Sequence, residues 1–280
     1  MKIGASKKTS ALTIIGVLFT LTILMTAQLT YATVTCGSTI TTNTTLTSNL
    51  TCSTADGIII GANGITLNCA GHTITRTTSR SGFGITLSGR TKVTVEDCTV
   101  KNWELGFVLD SSSSNTLSHN TATSNGDGFI LQDSSSSNIL SYNTATRNAN
   151  GFLLAVSCDS NILISNTATG NSGLGFNLEE SSDSNTFSHN TATSNEYGFV
   201  LSVGSGNTFN GNTARSNAAD GFFVNSGSSG NSLRLNAANS NSGYGYVDQS
   251  SGSGTAGTAN TYTGNTCTGN TLGCSSPPGL

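Results

Sequence analysis

The residues best suited to chemistry are six acids, Asp110, Asp133, Asp159, Glu179, Glu180 and Asp183, each four to eight residues beyond a glycine-aromatic dipeptide. Gathered carboxylates can hold Ca2+ through their oxygens. Two of them held ~5–9.5 Å apart can share acid and base work at one scissile bond. Either outcome requires elements that bring residues distant in sequence onto one edge.

The dipeptide itself supplies those elements. It recurs as Gly106-Phe107, Gly128-Phe129, Gly151-Phe152, Gly175-Phe176, Gly198-Phe199, Gly221-Phe222 and Gly245-Tyr246, with steps of 22, 23, 24, 23, 23 and 24 residues. Gly84-Ile85 extends the register upstream. A period held this closely marks a stack of one small unit.

Aligning the units on the glycine exposes three asparagine columns, typified by Asn138, Asn161 and Asn185, by Asn143, Asn166 and Asn190, and by Asn148, Asn171 and Asn195. Between them run short alternating apolar segments, three per unit, which predict strands. The expected architecture is an all-β, single-stranded parallel β-helix of about nine coils with ~23 residues each, coils lying ~4.8 Å apart. The asparagines are then expected at inward turns. There each amide bonds its counterpart one coil away, and asparagine tolerates a left-handed backbone.

Gly57-Ile58-Ile59-Ile60 and Gly64-Ile65-Thr66-Leu67-Asn68-Cys69-Ala70-Gly71-His72-Thr73-Ile74-Thr75 resemble the first coil of right-handed parallel β-helix repeat proteins. The later Asn-x-x-x-x-Asn-Thr-Ala-Thr-x-Asn-x-x-Gly-Phe units resemble the same group, which includes pectate-lyase-like enzymes and NosD-type periplasmic copper-processing proteins. The resemblance covers about residues 55–272. It implies the fold and is nearly silent on function. Asp110 and Asp133 are one coil apart at nearly equal offsets, and Asp159 and Asp183 share one offset with Glu179 and Glu180 beside them, a loose acidic strip. Lyases of this fold add an Arg or Lys as base, and none joins this strip. Arg147, Arg215 and Arg234 fall on other strands. The bland reading is that the acids keep a polar rod soluble; a weak Ca2+ site is the alternative, and no other cofactor is expected.

Residues 1–32 read as a signal peptide, with Lys2, Lys7 and Lys8 ahead of an apolar run and small residues near Ala32. A retained membrane anchor is the alternative reading. Residues 33–55 read as an N-terminal cap, 56–274 as the helix and 275–280 as a tail. Without the leader, eight basic residues face fourteen acids, a formal charge of −6. No basic patch exists, so nucleic acid is not an expected partner. Residues 249–259, rich in Ser, Gly, Thr and Ala, read as a flexible insertion.

Seven cysteines suit an oxidising compartment. Cys36 with Cys52 and Cys267 with Cys274 are expected to staple the two ends. Cys69 and Cys98 fit either a disulfide or two stacked thiols, and Cys158 is left over. His119 and His189 share an offset three coils apart, ~14 Å by the coil rise, too far for one metal. His72 reads as structural. Outward Thr columns (Thr121, Thr144, Thr167, Thr191 and Thr123, Thr146, Thr169, Thr193) resemble ice-binding arrays, although Thr suits any exposed strand. Trp103, Tyr142, Tyr197, Tyr244 and Tyr262 do not share one column.

The expectation is an exported, non-catalytic protein of the cell surface, periplasm or extracellular space that contacts polysaccharide or envelope glycan. A polysaccharide lyase or glycoside hydrolase using the acidic strip is the runner-up. A copper-handling accessory role and ice binding follow.

Overall fold

The computed structural model describes residues 33–54, 56–77 and 81–280. The expected signal peptide lies outside these residues. The repeat folds as an all-β parallel solenoid with three sheets of eleven, ten and ten strands among the described residues. Every strand pairs in parallel with its counterpart one coil on, at steps such as Leu105 to Asp127, Asp127 to Asn150 and Phe152 to Phe176. Residues 33–54 join the stack, because Ser38–Ile40 pairs with Ile58–Ile60 and Leu50–Cys52 with Ile74–Arg76.

The recurrent glycine has a steric reason. A Cβ on Gly175 would lie 2.6 Å from the carbonyl oxygen of Gly198 and 3.0 Å from Ala192 Cβ. The same overlap recurs at Gly128, Gly151, Gly198 and Gly221. The aromatic that follows fills the core. Phe107, Phe129, Phe152, Phe176, Phe199 and Phe222 stack with centroids 4.6–4.8 Å apart, and Tyr246 closes the column at 5.0 Å. Each such pair contributes ~0.5–1.5 kcal/mol beyond burial.

The asparagine ladders form as expected, with Asn185 Nδ2 the one ladder group left without a partner among the described residues. Asn166 Oδ1 accepts from Asn143 N at 2.9 Å and from Asn143 Nδ2 at 3.0 Å. Its Nδ2 donates to the Leu140 carbonyl at 2.8 Å and to Asn190 Oδ1 at 3.0 Å. One detail differs from expectation. The left-handed conformation falls on the residue before each ladder asparagine, as at Ser114, His119 and Ser124, with φ of 57, 56 and 59°. The asparagine itself turns its side chain inward, and the turn is made one residue earlier. On the third sheet the outward threonines align coil by coil around inward alanines.

Three disulfides form. Cys36–Cys52 and Cys267–Cys274 join at the ends, and Cys69–Cys98 bridges neighbouring coils with Cα atoms 4.7 Å apart. Cys158 is buried and unpaired. Its thiol donates to the Ala155 carbonyl, and burial pushes its pKa up to about 11. Thiolate is the reactive form, so an alkylating reagent should leave the native protein unmodified. Denaturation without reductant should expose one reactive thiol, and reduction should expose seven. Rapid native labelling, or seven thiols before reduction, contradicts this arrangement.

The 249–259 segment is held rather than loose. Asp248, 4% exposed, accepts from Ser250, from Asn260 Nδ2 at 2.9 Å and from the Tyr262 hydroxyl at 2.9 Å. Thr258 is fully buried. One inward carboxylate ties both ends of the insertion to the stack, which its composition gave no reason to expect.

Candidate functional site

The six sequence-selected acids separate into three columns. Asp110 ends the strand Leu105–Asp110 and faces Gln132, not Asp133. Ser88 and Ser111 donate to its two oxygens at 3.3 and 3.1 Å. The expected near-equality of the Asp110 and Asp133 offsets fails by one residue, enough to place Asp133 beyond the strand in a left-handed turn (φ 51°). Glu180 takes the same turn (φ 51°) two coils on, with Val156 in the coil between. Asp159 and Asp183 do stand one coil apart, yet their carboxylates cap turns. Asp159 Oδ1 accepts from Asp183 N at 2.8 Å, and Asp183 Oδ1 from Ser205 N at 2.6 Å. Glu179 accepts from Asn177 Nδ2 at 3.2 Å. Among the described residues no three of His, Cys, Asp and Glu approach closely enough to hold a metal ion.

A different constellation occupies the outer face of the first sheet. Its central outward column runs Val108, Ile130, Leu153, Asn177, Val200, Phe223 and Val247, one residue per coil. Several of these are nearly covered, shaded by the columns on either side. One flanking column carries Asp127, Asn150, Leu174, Tyr197, Asp220 and Tyr244 in consecutive coils. Tyr197 and Tyr244 therefore do share a column, with Asp220 between them.

Each residue of this column immediately precedes the recurrent glycine, as in Tyr197-Gly198, Asp220-Gly221 and Tyr244-Gly245. That is the sequence signal that reveals them. The Tyr197 ring meets Phe223 edge-on at 5.9 Å. Asp220 Oδ1 accepts from Tyr244 N at 2.6 Å, which fixes the carboxylate and leaves its second oxygen to accept from a ligand. Burial raises the pKa of Asp220, partly opposed by that backbone N–H. Burial, then the charges of Asp220 and Glu196, raise that of Tyr197. Aromatic faces, a fixed acceptor and apolar neighbours at coil spacing can bind an extended ligand laid along the stack.

Fold and face together define a right-handed parallel β-helix with one elongated, aromatic-flanked surface. The chain belongs to the family described as periplasmic copper-binding protein (NosD), whose match spans residues 24–190, more than half of the chain. Residues 154–277 match the right handed beta helix region. Three solved structures share the fold. The A-module of the Azotobacter vinelandii mannuronan C-5 epimerase AlgE6 is 19% identical with a TM-score of 0.64, over 84% of this chain and 74% of that one. The periplasmic alginate epimerase AlgG is 13% identical with a TM-score of 0.55, over 83% and 71%. The catalytic domain of a GH87 alpha-1,3-glucanase, in complex with nigerose, is 16% identical with a TM-score of 0.54, over 88% and 60%. No curated protein matches the chain by sequence.

Among the described residues the donor set does not fit the copper of the family's description. Copper takes soft thiolate and thioether ligands and also imidazole. Six cysteines are consumed in disulfides, and Cys158 is buried with its thiol protonated. His72, His119 and His189 lie on separate coils, where His119 stacks on Tyr142 at 5.2 Å and His189 meets Ser188. Both methionines, Met1 and Met25, fall outside the described residues.

Proposed function

We propose that the protein is an exported, non-catalytic rod that binds polysaccharide lengthwise along the outer face of its first sheet. The observation that carries this reading is the alignment of Tyr197, Asp220 and Tyr244 beside Phe223 in consecutive coils. Three disulfides and the periplasmic description of the matching family support export. The named activities of the structural neighbours, on mannuronan, alginate and alpha-1,3-glucan, support a polysaccharide as the ligand class. Two features support binding without cleavage. A lyase needs a base in hydrogen-bond reach of the sugar proton. Among the described residues no strand of the first sheet carries Lys, Arg or His, and burial with nearby acids raises the pKa of Tyr197 and so disfavours its phenolate. A glycosidase needs two carboxyls ~5–9.5 Å apart. Asp127 and Asp220 stand four coils apart, about 19 Å by the coil rise, and Glu196, one coil from Asp220, makes the one nearer pair, which Asp220→Asn tests.

The test is incubation with glucans, alginate and polygalacturonate, with and without Ca2+. The expected result is depletion of a polysaccharide from solution without new reducing ends or unsaturated products. Products that disappear in Asp220→Asn or Asp133→Ala overturn the non-catalytic reading. Failure to deplete any glycan overturns the binding role.

A further inference from the structure

We infer that the site formed by Tyr197, Asp220, Phe223 and Tyr244 selects uncharged glycans and rejects polyuronates. The inference rests on the glycan-binding reading above and fixes its ligand class by charge.

Two acids stand at this site: Asp220 and, one coil away, Glu196, whose charges both act on Tyr197. Arg90, after the strand Phe83–Ser88, donates to the Ser88 and Gly61 carbonyls and lies six coils from Asp220, about 29 Å by the coil rise. At physiological ionic strength the screening length is ~8 Å, so Arg90 contributes little there. Arg215, the closest cation in sequence, ends the strand Thr213–Arg215 on the third sheet.

Proteins recognise sugar carboxylates by placing Arg or Lys opposite them, because a charged donor meets the anion at hydrogen-bond distance. Here a uronate carboxylate would instead approach a half-buried aspartate, and like charges in a partly desolvated site are repelled. Neutral sugars meet the opposite balance. Their hydroxyls donate to Asp220 Oδ2, and their apolar ring faces lie against Tyr197 and Tyr244, whose aromatic surfaces carry large contact area. The two tyrosines stand two coils apart, roughly 10 Å, which suits alternate sugar units of an extended chain along the rod. The raised pKa of Asp220 records the same desolvation from the side of the protein.

The experiment is calorimetric titration of the exported chain with a neutral gluco-oligosaccharide and an oligouronate of equal length. It is repeated on Tyr197→Ala, Tyr244→Ala and Asp220→Asn. These side chains point away from the core, and matching thermal melts establish that each variant folds. The neutral ligand is expected to bind the parent chain, and each Tyr→Ala change to weaken it about tenfold, the ratio that ~1.4 kcal/mol represents. Asp220→Asn keeps an acceptor for Tyr244 N–H while removing a charge, so affinity for oligouronate should rise relative to neutral ligand, most visibly at low salt. Oligouronate binding the parent chain as tightly as the neutral ligand overturns the charge selectivity and leaves the glycan-binding reading standing. Neutral binding unchanged in both tyrosine variants overturns the assignment of the site. Binding of neither ligand overturns the reading together with the inference.

Discussion

Asn166→Ala should lower the melting temperature by roughly 6–12 °C, more than any single outward substitution on the same coil. The change removes four hydrogen bonds at once. It strands two buried groups, the Asn143 backbone N–H and one Asn143 amide proton, while the Leu140 carbonyl stays in its strand's ladder. Asn190 Oδ1 keeps a partner, the backbone N–H of residue 166. Each buried polar group left unpaired costs ~1–3 kcal/mol. The two together cost ~2–6 kcal/mol, and a domain of this size shifts by ~2–4 °C per kcal/mol. Asn43→Ala is the control. Asn43 is exposed and accepts one bond, from Thr66 N, so its loss should cost under ~1 kcal/mol. Equal melting temperatures for the two variants would refute the ladder as a source of stability.

Gly175→Val should be worse still. The added Cβ meets the Gly198 carbonyl at 2.6 Å, Asn195 Nδ2 at 2.9 Å and Ala192 Cβ at 3.0 Å. None of these can yield alone, since the carbonyl belongs to the next coil and the amide to a ladder that continues through Asn217. Overpacking by flexible side chains costs ~1–3 kcal/mol, and displacement of a backbone carbonyl lies beyond that range. The expected outcome is loss of folded soluble protein, and Gly175→Ala, which carries the same Cβ, should be severely destabilised as well. Gly170→Ser separates this effect from glycine loss in general. Gly170 has a φ of 64° with nothing within 4 Å of its Cβ position. Its counterparts Arg147 and Ser194 hold φ of 56 and 57° with side chains in place. Gly170→Ser should therefore cost no more than ~1–2 kcal/mol. A Gly175→Val protein that melts with Gly170→Ser would show that the coils are not held in such close approach.

The architecture was legible because one coil repeats nearly unchanged. The Gly-Phe step encodes both the tight approach of neighbouring coils and the stacked core, and the asparagines mark the inward corners. The site was harder to read because coils vary between 22 and 24 residues, and in a strand one residue of slip moves a side chain to the other face. Asp110 lies four residues past its glycine and Asp133 five, which was enough to break the proposed pairing. Tyr197, Asp220 and Tyr244 hold a constant offset just before the glycine, yet an acid between two aromatics does not announce itself by composition. The left-handed residues ahead of the ladder asparagines, among them Ser114, His119 and Arg147, share a backbone conformation but no residue type. The anchoring of residues 249–259 depends on Asp248, whose inward orientation follows from its register with Val224.

Oxidative surface footprinting of the protein, with and without a bound neutral oligosaccharide, tests the central claim most directly. The account predicts protection confined to the outer face of the first sheet, strongest at Tyr197, Phe223 and Tyr244, with Tyr142 on the opposite turn unchanged. Protection centred on the second or third sheet, or no protection at saturating ligand, would contradict it.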